Sequence, residues 1–183
     1  MQYPFSFDYE KAIETILYIV ENGAKPTFIH VSKVTYFADK AHLEKYGRFI
    51  CGDSYIAMKN GPVPSGIYDL LKYARGDFPF IGLLPEPIKQ KIKDSFSVYN
   101  NYNLSPLRAS DVDTFSESDI ECLDKSITAY GNLPFDALTE VSHDDIWHSA
   151  NENDSIEIDY FLSHIESGAE LRQHFNDQHP GEN

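Results

Sequence analysis

Apolar residues along the first part of the chain recur at helical spacing. Tyr9, Ala12, Ile13, Ile16, Leu17 and Val20 follow a capping Asp8, and Asn22-Gly23 ends the run. Lys25-Pro26-Thr27 opens a second helix, in which Val31, Val34, Ala38 and Ala41 form the apolar stripe and Gly47 the stop. The pattern then changes. Ser54 to Lys59 lacks a helical stripe and reads as a short strand, with Cys51-Gly52-Asp53 as the turn before it. Asn60-Gly61-Pro62-Val63-Pro64 reads as a rigid turn, because two prolines fix φ and remove two backbone donors. Pro64 or Ser65 opens a third helix with Ile67, Leu70, Leu71 and Ala74 inside.

Prolines and glycines in 76–87 predict a loop, followed by a short basic segment, Lys89 to Lys93. Phe96 to Leu107 reads as a hairpin turning at Asn100 to Asn103. Ser116 starts a fourth helix, with Asp119 three residues on as a capping-box variant, Ile120, Leu123 and Ile127 as its stripe and Gly131 as its stop. Pro134 opens a fifth helix through Val141. A turn or two follows over Asp144 to Ala150, then a loop over Asn151 to Ser155 and a last helix from Ile158 to Phe175. The predicted fold is α+β, a mostly helical single domain with about six helices and a small antiparallel sheet or hairpin. The domain spans 1–176, with a frayed tail over 177–183.

Composition narrows the class. Hydrophobic residues make up 42% of the 183, enough for a packed core without staples. The two cysteines lie far apart, and Met1 to Tyr9 lacks the basic and apolar regions of a signal peptide, so free thiols in a reducing cytoplasm are expected. No apolar run reaches the roughly 20 residues that a membrane span needs. The net charge of −14 is uneven: residues 1–95 carry +1, 96–143 carry −6 and 144–183 carry −9. An acidic half disfavours nucleic acid and anionic membrane and favours basic partners.

Signatures of chemistry are few. The sequence holds no phosphate-binding glycine pattern, no HExxH, no CxxC and no GxSxG. Thr35, Asp39, His42 and Tyr46 form a polar stripe on the second helix, beside the apolar one. A metal reading would join Asp39, His42, His143 and Asp53; the bland reading makes them helix caps and members of polar networks. Trp147 after an acidic pair reads as a core residue.

From Tyr36 to Tyr68 the sequence resembles a known family. Tyr36-Phe37-Ala38-Asp39-Lys40-Ala41-His42-Leu43, Tyr46-Gly47-Arg48, Gly52-Asp53 and Tyr55 to Pro64 closely resemble the SocA-like antitoxin domain, also called the Panacea domain. Ser116 to Ile120, Ser142-His143 and Trp147 follow in the family's order, so the likeness runs from about residue 10 to 150. The resemblance implies a cytoplasmic prokaryotic antitoxin, often linked to phages or mobile elements. Such a protein neutralises a toxin, typically encoded next door, by direct binding. One member instead delivers its toxin to a protease.

These readings converge on a protein with no catalytic residue, cofactor or metal, whose partner is a cognate protein toxin. The partner site is expected at Tyr36, Asp39, His42, Tyr46, Lys59, Asn60, Gly61, Pro62, Pro64 and Tyr68. Two prolines stiffen that turn, lowering the ordering entropy of binding, and tyrosine offers large contact area. Other readings stand beside it: an adaptor delivering the toxin to a protease, a small metal-dependent hydrolase using Asp39, His42 and His143, and a nucleic-acid mimic exploiting the acidic half.

Overall fold

A computed structural model describes residues 3–77 and 84–178. In chain order these are α1 (Tyr9–Glu21), α2 (Phe28–Tyr46), β1 (Tyr55–Met58), β2 (Gly61–Pro64), α3 (Ser65–Arg75), α4 (Glu86–Ser95), β3 (Phe96–Tyr99) and β4 (Asn103–Pro106). A 3-10 turn (Val112–Thr114) leads to α5 (Glu117–Tyr130), α6 (Phe135–Ser142), α7 (Asp145–His148), β5 (Ser155–Ile156), α8 (Ile158–Ser163) and α9 (Gly168–Gln178). The fold is mixed α+β and mostly helical, as the sequence predicts.

Helix α2 is the centre of the molecule. Val31, Val34 and Ala38 pack into a core shared with α1, α3, α4 and α5, while Tyr36 and Leu43 enter a second, aromatic core with Phe49, Tyr55, Ile156 and Phe161. Covered on both sides, α2 also buries its polar residues: Thr35, Asp39 and His42 have no exposed surface. This corrects the expectation that Asp39 and His42 stand on a partner-facing surface. Asp39 and His42 instead face Tyr55 and α5, and only Tyr46, at the end of the stripe, is exposed.

The segment read as a rigid turn is a strand. β2 pairs antiparallel with β1, Tyr55 opposite Pro64 and Ala57 opposite Pro62. β5, expected as loop, pairs with the other side of β1 and gives the order β2-β1-β5. Pro62 and Pro64 are compatible with β2 because it is an edge strand, where a residue turned from the ladder needs no N–H. Gly61 has φ of 98° and sits so close to its neighbours that a Cβ there would lie 2.4 Å from Ser142 Oγ and 2.7 Å from Lys33 Nζ.

The basic segment Lys89 to Lys93 lies within α4, which buries Ile88 and Ile92. The predicted 76–87 loop therefore ends at Pro85, and 78–83 lie outside the described residues. The β3–β4 hairpin docks on the start of α2 through Phe28 N–H to Tyr102 O (3.0 Å) and Leu104 N–H to Pro26 O (2.7 Å). The predicted last helix is broken into α8 and α9. A Cβ at Gly168 would fall 1.6 Å from the Leu162 carbonyl oxygen, so the chain folds back there at a distance only glycine allows. Helix α9 continues to Gln178, past the predicted start of the tail; 179–183 lie outside the described residues. Together α4, the short α7 and this break raise the count among the described residues to nine helices. Ser116 and Asp119 complete the predicted capping box on α5. Cys51 and Cys122 are free and buried.

Candidate functional site

The expected site residues divide into a buried frame and an exposed face. In the frame, Asp39 accepts hydrogen bonds from Ile50 N–H (2.7 Å) and Tyr55 O–H (2.6 Å). Burial raises its pKa to about 7, against the pull of those two donors. Asp53 accepts from the Ser54, Gly66 and Ile67 N–H groups, supplying the cap that Pro64 cannot give to α3. Burial raises its pKa to about 6.

His42 is held on both ring nitrogens. Nδ1 lies 2.9 Å from the Arg48 carbonyl, which can only accept, so Nδ1 carries a hydrogen. Nε2 faces Ser118 Oγ at 3.1 Å and Asp119 Oδ1 at 3.2 Å. Burial works to raise the Asp119 pKa, but bonds from His42, Lys11 and Ser116 outweigh it and hold the carboxyl well below the usual range. Tyr36 O–H donates to both Asp144 oxygens at 2.8 and 2.9 Å, and Asp144 in turn caps α7 through Trp147 N–H. Tyr36, Asp39 and His42 thus present no side-chain surface to a partner. Their measurable work is to fix α2 against β1, α5 and α7.

The four candidate metal ligands do not converge. Asp39 serves Ile50 and Tyr55, Asp53 caps α3, His42 meets α5, and the His143 ring stacks on Trp147 at 3.8 Å between centroids. Among the described residues there is no group of three or more His, Cys, Asp or Glu side chains that could hold a metal ion. Trp147, expected as a core residue, packs against the aromatic core while its Nε1–H reaches Met58 O at 3.0 Å.

The exposed face lies at the other end of α2. The β1–β2 turn carries Lys59 and Asn60 into solvent, whereas Gly61, Pro62 and Pro64 are buried and shape it. Beside the turn is a groove of about 650 Å³ whose lining includes Lys59, Asn60, Tyr68, Phe28, Tyr102 and Phe135. Tyr68, Phe28 and Tyr102 are successive edge-to-face neighbours, with ring centroids 6.4 and 5.7 Å apart. Lys72 sits over the Tyr68 ring and Arg75 over both Phe28 and Tyr102. Tyr102 and Phe135, which both line this groove, are 57% and 49% exposed. Tyr46 is also exposed but stands at the far end of α2, bonded to Glu121.

Of the residues expected at the partner site, Lys59, Asn60 and Tyr68 line this groove; Phe28, Tyr102, Phe135 and Lys33 line it without having been expected there. Lys33 did leave a signal. It stands among Val31, Ser32, Val34 and Thr35, with Ile29 and Phe37 at i−4 and i+4, so no acid on its own helix can pair with it.

The arrangement is that of a rigid helical frame displaying an aromatic groove beside a stiff hairpin. The chain belongs to the family described as antitoxin SocA-like, Panacea domain, whose model matches residues 31–148. It thus carries an antitoxin-like domain, with a role related to toxin–antitoxin systems and a toxin as the partner that the family implies in general. The matched span runs from the first turn of α2 to the end of α7, and so holds the buried frame and most of the groove. No curated protein and no solved structure matches the chain significantly. Among the described residues, no helix is long and apolar enough to cross a membrane.

Proposed function

We propose that this chain is an antitoxin that neutralises a cognate protein toxin, encoded by an adjacent gene, through direct binding in the cytoplasm and without catalysis. The observation that carries the proposal is the family match over residues 31–148, because that span holds most of an exposed aromatic groove and the buried frame beneath it. Large exposed rings on a stiff support favour protein recognition, since aromatic side chains supply contact area at little entropic cost.

Within this reading the expected site residues take different parts. Lys59, Asn60 and Tyr68 touch the toxin; Gly61, Pro62 and Pro64 hold the turn in shape. Tyr36, Asp39 and His42 act at one remove, by fixing α2. Tyr46 lies outside the groove and extends the contact only if the toxin reaches along α2. The acidic second half attracts a basic toxin over longer range.

Co-expression of each neighbouring gene with this chain tests the proposal, in cells with and without their ATP-dependent cytoplasmic proteases. Direct neutralisation requires one neighbour to be toxic alone, harmless with the chain, and equally harmless when the proteases are deleted. Rescue lost with the proteases would favour delivery for degradation. No rescue of any toxic neighbour would refute the antitoxin role.

A further inference from the structure

The positive charges of this acidic chain are almost all neutralised internally. Of 15 Lys and Arg side chains, all but Lys25, Lys33, Lys59 and Lys93 lie within 4.0 Å of a carboxylate among the described residues. Two of those four, Lys33 and Lys59, line the same groove. Lys33 is the more informative. It is 1% exposed, and its ammonium makes one hydrogen bond, 2.8 Å to the Pro62 carbonyl. An ammonium carries three donors, and a buried cation without a counter-charge is expensive to keep. The nearby carboxyl of Asp144 offsets only part of this, so burial holds the Lys33 pKa down at about 7.

The surroundings of Lys33 complete a recognition pattern. Aromatic rings of Phe28, Tyr68 and Phe135 border the groove. Glu152 is the one acidic residue among those lining it. Apolar walls that carry two lysines against a single acid select a ligand that combines a carboxylate with a large apolar side chain.

Building on the antitoxin reading, we propose that the groove receives a segment of the toxin in which an Asp or Glu lies beside an aromatic or large aliphatic residue. The carboxylate pairs with Lys33 and Lys59, and the apolar neighbour packs among Phe28, Tyr68 and Phe135. Charge complementarity identifies this occupant. The toxin as a whole can still be basic, since the acidic second half acts over longer range than this short contact.

Selection of random linear peptides on the purified chain, followed by affinity measurements, tests the groove without knowledge of the toxin. Enriched peptides should place Asp or Glu within two positions of Phe, Tyr, Trp or Leu. The best of them should bind Lys33→Met at least tenfold more weakly, although at pH 7 that variant melts no lower than the parent because a poorly compensated buried charge is gone. Phe135→Ala should weaken binding several-fold. Changing the peptide's acid to its amide should cost tenfold on the parent and almost nothing further on Lys33→Met. Enrichment of basic or purely apolar peptides, no enrichment, or equal binding by the parent and both variants would overturn the proposal. So would occupation of the groove by a second copy of the chain, seen as a dimer that Phe135→Ala dissolves. Should Lys33→Met not fold, the amide exchange and Phe135→Ala decide alone. Growth rescue by co-expression reports on the antitoxin role whatever these peptides do, so the two failures are separable.

Discussion

The Lys33 ammonium donates to the Pro62 carbonyl at 2.8 Å and thereby ties α2 to the outer strand of the small sheet. That strand offers no N–H at Pro62 or Pro64, so it is a poor template for strand addition by another chain. The adjoining groove, which Lys33 also lines, is the surface we propose for partner contact.

The tie predicts a particular pH dependence. Folded Lys33 titrates near 7, against about 10.4 for an unfolded lysine. Between those values the unfolded chain holds a proton that the folded chain does not. The contribution of Lys33 is therefore complete above the unfolded value and is lost as pH falls through 7. Asp144 and His143 face the same region and remain in both proteins. In urea unfolding, the stability of the parent relative to Lys33→Met should rise by about 2 kcal/mol between pH 7 and pH 9. A flat difference would mean that the ammonium is not desolvated.

Asp39 should behave with the opposite sign. Its folded pKa of about 7 lies above the roughly 3.9 of an unfolded aspartate, so its contribution is full below the lower value and is lost as pH rises through 7. Relative to Asp39→Asn, the parent should lose stability from pH 4 to pH 7. Asp39→Ala should cost about 2–3 kcal/mol at pH 5, because the Ile50 N–H and Tyr55 O–H lose their buried acceptor. Unchanged melting of Asp39→Ala would return this residue to the recognition surface.

How much of this was legible in the sequence follows from how each helix is used. Helix α1 has one buried face and a capping Asp8, so its period and boundary are written plainly. Helix α2 is buried on both sides, and its buried face includes Thr35, Asp39, His42 and Lys33. A polar residue satisfied by a distant chain segment looks, in sequence, like one facing water. The acceptors and donors that settle the matter stand far away, such as Ile50 and Tyr55 for Asp39 and Asp119 for His42. The groove was half legible for the same reason. Lys59 to Tyr68 is continuous in sequence, whereas Phe28, Tyr102 and Phe135 are joined only by the docking of the β3–β4 hairpin and α6 around the start of α2.

The C-terminal helices separate charge from packing. Glu166 and Glu170 are exposed, whereas Phe161, Leu162 and Phe175 are buried in the aromatic core. Reversing both glutamates to lysine should leave the melting temperature within a degree or two, since exposed charges contribute little to stability. The same change should weaken the salt dependence of association with a basic toxin. Gly168→Ala should instead lower the melting temperature by several degrees, because a Cβ there meets the Leu162 backbone. The reverse pattern would mean that the carboxylates, not the fold-back, hold α9 in place.

The most direct test of direct neutralisation is a titration of the purified toxin, its activity followed as purified chain is added with no protease present. Neutralisation by binding predicts that activity falls to zero at a fixed small molar ratio and that the two proteins co-elute as one complex. It also predicts that Tyr68→Ala, folded normally, shifts the end point or abolishes it. Toxin that stays fully active beside a saturating amount of the folded chain, while cells expressing both survive, would contradict the account.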